Sequence, residues 1–204
     1  QLTFVLDKSG SMAGQSIAQA KQAFKHALST LNEHDAFQLI IFNNKAESFF
    51  EQAVAATSFN KHTAWQHVKQ LDADGGTEIK AALALALMPI SVSGEPNLNS
   101  DELNSTFVKN NKRLEQIVFL TDGAVGNEAE IFRMINQQMA NKRLFTVGLG
   151  TAPNRYFMKR AAEVGRGSYH FIGSHQQLIP EMKKLFTKLD QPVLTDIKFE
   201  MSQN

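Results

Sequence analysis

The stretch of sequence that decides the fold is residues 2–11, which read LTFVLDKSGS. Residues 2–6 form a nearly continuous apolar run, and such a run is typical of a strand that is buried on both faces. Asp7 ends the run, and Ser9 and Ser11 follow in a turn that leads into a helical pattern. The stretch therefore predicts a central strand of a parallel sheet, with polar side chains at its carboxyl end.

The same succession of strand and helix repeats along the chain. Similar apolar runs predict further strands, at 36–42, 116–121, 144–149 and 168–172. Apolar residues at spacings of three and four predict helices, at 16–31, 61–71, 78–87, 128–139, 156–164 and 176–189. A turn at Asn43–Asn44 predicts a short antiparallel strand at 46–50. The fold class is therefore α/β, with three layers, doubly wound around a mostly parallel sheet with one short antiparallel edge strand.

The alternation predicts one domain over residues 1–190, interrupted only at 91–112. That segment is rich in Ser, Asn, Lys and Glu and lacks periodicity, which predicts an exposed, irregular or disordered insertion. It follows a helix and precedes a strand, so we expect it at the end of the sheet opposite Asp7. We expect residues 191–204 to form a tail that leads into another domain. The sequence begins with Gln1 and not with Met, which indicates a piece of a longer protein.

The composition excludes several classes of function. The 204 residues include 21 Lys and Arg against 20 Asp and Glu, a formal net charge of +1, which argues against nucleic acid as a partner. The chain contains no Cys, which excludes disulfides, zinc sites built on Cys and thiol catalysis. No apolar run approaches the ~20 residues of a membrane span, so we expect no direct membrane insertion of this domain. The sequence leaves the oligomeric state undetermined.

Oxygen-bearing side chains occur in three predicted loops. Asp7, Ser9 and Ser11 follow the first strand, Asp122 ends a later buried strand, and Thr77 follows a Gly-Gly pair between two helices. In doubly wound sheets, ligands bind beyond the carboxyl ends of the strands, where the strand order reverses. Carboxylates and hydroxyls without His or Cys favour Mg²⁺, with Mn²⁺ or Ca²⁺ as substitutes.

Each of these residues alone has an ordinary structural explanation. Ser11 and Thr77 could cap the helices that follow them. Asp122–Gly123 could be a simple turn at a strand end. Their coincidence at strand ends that flank the switch point favours a metal site.

At these residues the sequence resembles a known family. The motifs match, in order, the three loops of the metal-ion-dependent adhesion site of von Willebrand factor type A domains: DKSGS at 7–11, GT at 76–77 and TDG at 121–123. The resemblance covers residues 1–190 and implies the Rossmann-like fold of that family. Two longer stretches, DGGTEI and FLTDGAVGNE, resemble the A domains of inter-alpha-trypsin inhibitor heavy chains and of bacterial surface proteins, including the marine proteobacterial sortase-target type.

The resemblance also implies a role for each residue. Ser9 and Ser11 are expected to bind the metal directly, and Thr77 and Asp122 to exchange between direct and water-mediated contact. Asp7 is expected to hold waters and to orient the serines. The resemblance further implies an extracellular, cell-surface or periplasmic location.

The sequence thus predicts a metal-dependent binding module and no enzyme. We expect the metal to dock a carboxylate from a protein or an acidic glycan. One alternative is a structural domain whose metal only stabilises the fold. A remote alternative is a Mg²⁺-dependent, phosphatase-like hydrolase, although Ser9 stands where the haloacid-dehalogenase pattern requires Asp.

Overall fold

The computed structural model describes residues 1–89, 114–123 and 126–190. The predictions for 91–112 and for the tail at 191–204 therefore lie outside the described residues. None of the helices in these ranges combines the length and the hydrophobicity that a bilayer crossing requires.

The strands of the described residues are β1 (Leu2–Asp7), β2 (Ala36–Phe42), β3 (Ala46–Ser48), β4 (Val54–Ala55), β5 (Glu115–Thr121), β6 (Lys142–Leu149) and β7 (Tyr169–Ile172). They form one sheet with the order β3-β2-β1-β5-β6-β7, and β4 pairs with β2. All neighbours are parallel except β3 and β4, which run antiparallel to β2. The chain passes from β1 to β2 on one side and later to β5 on the other, so the switch point lies between β1 and β5. The predicted α/β class is confirmed, and β4 is a short addition to it.

Helices cover both faces of the sheet. They are α1 (Gln15–Thr30), α2 (Ser58–Lys69), α3 (Ile79–Leu87), α4 (Glu128–Gln138), α5 (Arg155–Val164) and α6 (His175–Asp190). One apolar core lies between the sheet and α1, α2 and α6, and a second lies between the sheet and α3, α4 and α5.

The first strand shows why its sequence is an apolar run. All six residues of β1 are buried. Phe4 and Leu6 lie in the core beneath α1, where the ring of Phe4 packs edge-to-face against Phe24 with centroids 5.3 Å apart. Val5 faces the opposite core. Both faces of the strand therefore require apolar side chains.

Two element boundaries differ from the prediction for identifiable reasons. Helix α2 begins three residues earlier than predicted because the Thr57 side chain accepts a hydrogen bond from the backbone N–H of Asn60 at 3.2 Å. Strand β6 begins two residues earlier because Lys142 is buried at its start, with its ammonium 2.7 Å from a carboxylate oxygen of Glu115. The same ammonium donates to the carbonyl oxygen of Met88 at 2.6 Å. Met88 and Glu115, which flank the predicted insertion, therefore lie at the end of the sheet opposite Asp7.

Candidate functional site

Asp7 is the buried carboxylate of the candidate site. It ends β1 and is fully buried. The backbone N–H of Ser9 donates to Oδ1 at 2.8 Å, and the hydroxyl of Thr121 on β5 donates to Oδ2 at 2.5 Å. Burial raises the pKa of the Asp7 carboxyl above its ordinary value, while the hydrogen bonds from Thr121 and Ser9 act in the opposite direction. Because protein donors hold both oxygens, Asp7 fixes the first loop to the neighbouring strand.

Three side-chain oxygen atoms form a row that begins at the buried Ser9. The hydroxyl oxygens of Ser9 and Ser11 lie 3.1 Å apart, and the Ser11 hydroxyl donates to Oδ1 of Asp122 at 3.0 Å. Ser9 is fully buried, Asp122 is half-buried and Ser11 is exposed. The structure thus connects residues 7–11 with Asp122 across the switch point, as the sequence predicts.

The capping explanations for Ser11 and Thr77 do not hold. Ser11 lies inside a short 3₁₀ helix, Gly10–Met12, and the residue before α1 is Gly14 with φ +79°. The residue before α3 is Glu78, and no side chain caps that helix by a hydrogen bond. Neither hydroxyl is therefore needed to satisfy a helix end.

The second loop lies against the first through its backbone. The N–H of Gly10 donates to the carbonyl oxygen of Gly75 at 2.9 Å, and the N–H of Asp74 donates to the carbonyl oxygen of Lys8 at 2.8 Å. Lys8 is also paired with Asp74, Nζ to Oδ1 at 2.5 Å. Thr77 follows in this loop and is half-buried, but within the described residues it makes no hydrogen bond to the row of oxygens. The structure therefore brings the second loop to the site without linking the Thr77 hydroxyl to it.

The third loop is held by its own Thr121 and Gly123 and by Asn154, a residue that the sequence patterns did not mark as part of the site. Gly123 has φ +77°, and its N–H donates to the hydroxyl of Thr121 at 2.9 Å. The carbonyl oxygen of Asp122 accepts a hydrogen bond from the N–H of Asn154 at 3.0 Å. Asn154 also caps α5 and donates its side-chain N–H to Glu128 at 2.8 Å. The only sequence signal for Asn154 is its position before a predicted helix, where Asn is a frequent cap.

The donor set suits a hard divalent cation. In an octahedron with Mg–O distances of about 2.0–2.1 Å, adjacent ligands lie about 2.8–3.0 Å apart. The spacings of 3.1 Å and 3.0 Å in the row Ser9, Ser11, Asp122 are close to this edge length. No group of three or more His, Cys, Asp and Glu that could hold a metal ion occurs in the described ranges. A metal ion at this site would therefore need the serine hydroxyls as ligands in addition to the carboxylate.

The fold and these loops define a doubly wound α/β domain with an all-oxygen cluster at its switch point. A family model for the von Willebrand factor type A domain matches residues 1–171. The chain belongs to the von Willebrand factor type A domain family. Domains of this family are typically binding modules and are generally not enzymes.

Relatives and solved structures agree with this assignment. Inter-alpha-trypsin inhibitor heavy chain H2 from Sus scrofa is 27% identical over 207 residues, which cover 99% of this chain and 21% of that protein. A von Willebrand factor A domain-containing protein from Dictyostelium discoideum is 26% identical over 201 residues, 98% of this chain and 20% of that protein. A von Willebrand factor type A structure from Catenulispora acidiphila superposes with a TM-score of 0.73 at 21% identity, over 92% of this chain and 42% of that one.

The chain thus spans about a fifth of the length of these curated relatives. The predicted resemblance to the inter-alpha-trypsin inhibitor heavy chains is confirmed. The resemblance to bacterial surface proteins stays a prediction.

Proposed function

We propose that this domain is a divalent-cation-dependent binding module that docks a carboxylate of a protein or acidic glycan partner. The ion, Mg²⁺ with Mn²⁺ or Ca²⁺ as substitutes, would be held by Ser9, Ser11, Thr77 and Asp122. Asp7 would orient the serines. The observation that carries the proposal is the row of three oxygens, which runs from the buried hydroxyl of Ser9 through the exposed hydroxyl of Ser11 to the half-buried carboxylate of Asp122.

The charges at the site favour an external carboxylate. Ser9 and Ser11 are neutral donors, and both oxygens of Asp7 are already engaged by protein hydrogen bonds. Asp122 is then the single carboxylate in the row. A bound divalent cation would retain positive charge and supply an electrophilic position for an acidic oxygen from a partner.

The first loop argues against the hydrolase alternative. Ser9 stands where the haloacid-dehalogenase pattern requires a second Asp. Lys8, the basic residue of that loop, is paired with Asp74.

The location outside the cytoplasm is also a proposal, and it rests on the family resemblance. Protease treatment of intact cells that carry the full-length protein tests it. Cleavage within this domain, in intact cells or after the outer membrane alone is permeabilised, would support the location, and complete protection under both conditions would contradict it.

Calorimetric titration of Mg²⁺ into chelator-treated protein tests the metal site. We expect saturable one-to-one binding that weakens at least tenfold (~1.4 kcal/mol) in Ser11→Ala and Asp122→Ala. Ser29→Ala and Glu163→Ala, which remove an exposed hydroxyl and an exposed carboxylate elsewhere, should bind as the wild type does. Absence of saturable binding at millimolar Mg²⁺ would refute the proposal.

Binding of a carboxylate partner separates the binding role from the structural one. A binding module loses partner affinity in Ser11→Ala while its melting temperature in metal-free buffer stays unchanged. A structural role is indicated if Mg²⁺ raises the melting temperature of the wild type but no carboxylate ligand binds in its presence.

A further inference from the structure

Arg155 is an exposed cation without a carboxylate partner beside the candidate metal site. It begins α5, and the preceding residue, Asn154, donates its backbone N–H to the carbonyl oxygen of Asp122 at 3.0 Å. In the described part of the chain, no carboxylate lies within ion-pair distance of Arg155. Lys8, in the first loop of the site, is by contrast neutralised by Asp74.

The position of the Arg155 guanidinium follows from the strand register. Its central carbon lies 4.5 Å from the centroid of the Phe171 ring. Phe171 pairs with Gly148, and Gly148 pairs with Thr121, the residue before Asp122. Two strand spacings separate Phe171 from Thr121, which amounts to about 10 Å. The guanidinium therefore lies over β7, two strands away from the strand end that carries Asp122.

An exposed aromatic side chain follows this cation in the chain. Tyr156, the next residue of α5, is 68% exposed. Its ring packs edge-to-face against Phe132 of α4, with centroids 6.5 Å apart. Aromatic side chains and Arg are both enriched at surfaces that contact a protein partner.

We propose that the partner of this site is an extended acidic peptide segment with two carboxylates. This inference rests on the proposed function. One carboxylate binds the cation at Ser9, Ser11 and Asp122, and the second pairs with Arg155. An apolar side chain of the segment packs on Tyr156. Residues an even number apart lie on the same face of an extended chain, which rises about 3.3 Å per residue. A separation of four residues, about 13 Å, is the shortest that exceeds the two strand spacings between Thr121 and Phe171, so the motif is Asp-x-x-x-Glu.

Fluorescence anisotropy with labelled synthetic peptides in saturating Mg²⁺ tests the inference. The series keeps one Asp fixed, places Glu one to five residues after it, and carries a Leu beside the pair. We expect the tightest binding at a separation of four, with weaker binding at three and five, where the two carboxylates lie on opposite faces of the extended chain. Arg155→Gln should weaken that peptide about tenfold and leave a matched peptide with Gln in place of Glu unchanged.

Three further variants test whether the effect is specific to Arg155 and Tyr156. Arg160→Gln removes an exposed cation on the same helix that already pairs with Glu163, and it should have no effect. Arg155→Lys should recover part of the affinity because it restores the charge. Tyr156→Ser should weaken only the peptides that carry Leu, and not those with Gly in its place.

Several outcomes would overturn the inference. Equal loss for the two-carboxylate and one-carboxylate peptides in Arg155→Gln would show that Arg155 does not bind the second carboxylate. Tighter binding of an oligogalacturonate than of any peptide, without dependence on Arg155, would identify an acidic glycan instead. If calorimetry shows that Mg²⁺ binds but no peptide does, this inference fails alone. If Mg²⁺ does not bind, the proposed function fails with it.

Discussion

Replacing Lys142 by Met tests the buried ion pair at the amino ends of β5 and β6. The side chains of Lys142 and Glu115 are only 4% and 8% exposed, and their charged atoms lie 2.7 Å apart. The Lys142 ammonium also donates to the carbonyl oxygens of Met88 at 2.6 Å and Ala86 at 3.3 Å. Methionine preserves the length and the apolar stem of the side chain, so the substitution removes the charge and three contacts with little change in volume.

We expect this variant to lose about 3–5 kcal/mol of its free energy of unfolding. At an effective dielectric constant of about 20, two charges 2.7 Å apart attract each other by roughly 6 kcal/mol. Part of that attraction only offsets the cost of removing both charges from water. When one partner is removed, the remaining Glu115 keeps its desolvation cost without compensation, and measured losses for such changes fall in the range of about 3–5 kcal/mol.

Urea unfolding followed by circular dichroism at neutral pH measures the loss. Lys80→Met is the matched control, because Lys80 pairs with Glu130 at the surface, where the side chains are 50% and 46% exposed. Solvent screens such a pair, so the control should unfold close to the wild type. Adding Glu115→Gln to the Lys142 variant should restore part of the stability, since no buried charge remains. A Lys142→Met protein that is no less stable than the control would refute the reasoning.

Three further predictions concern acidity, the third loop and a helix cap. Burial lowers the pKa of His170 below its ordinary value, so the unfolded chain binds this proton more tightly and stability falls as the pH drops through about 6.5. His170→Gln should flatten that slope in urea unfolding between pH 7 and pH 5, and an unchanged slope would contradict the assignment. Gly123→Ala should cost about 1–2 kcal/mol and weaken Mg²⁺ binding in calorimetry because φ is +77° there. Gly126→Ala, where an added Cβ meets no atom within 4 Å, is the control, and equal losses would contradict the strain. Thr57→Ala should cost about 1 kcal/mol in thermal unfolding by removing the cap of α2, whereas Thr57→Ser should retain most of it.

The sheet could be predicted from the sequence because its central strands are buried on both faces. Residues 2–7 and 36–42 are buried without exception, and a parallel strand in that position has an apolar sequence throughout. The antiparallel strand β4, at the edge of the sheet, was harder to predict. β4 has only two half-buried residues, and neither length nor periodicity marks it as a strand. Lys is ordinarily a surface residue, and the sequence does not show that Lys142 is buried in an ion pair with Glu115.

The site was predictable to the extent that its residues belong to local motifs. Asp7, Ser9, Ser11 and Asp122 follow strand ends, and the chain brings them together because β1 and β5 are neighbours. The partners that hold them depend on register, which the sequence does not reveal. Thr121 meets Asp7 because the two strand ends are level.

The contacts of the Lys142 ammonium indicate where another protein could be inserted into the chain. Met88 and Glu115 both reach the same nitrogen atom, so the chain leaves α3 and enters β5 at nearly the same point. A guest protein whose own termini are close together can therefore be spliced between these two points at little entropic cost, since closing a longer loop adds only about 0.6 kcal/mol per doubling of its length. Such a reporter would lie at the opposite end of the sheet from Ser11 and would leave the candidate metal site clear.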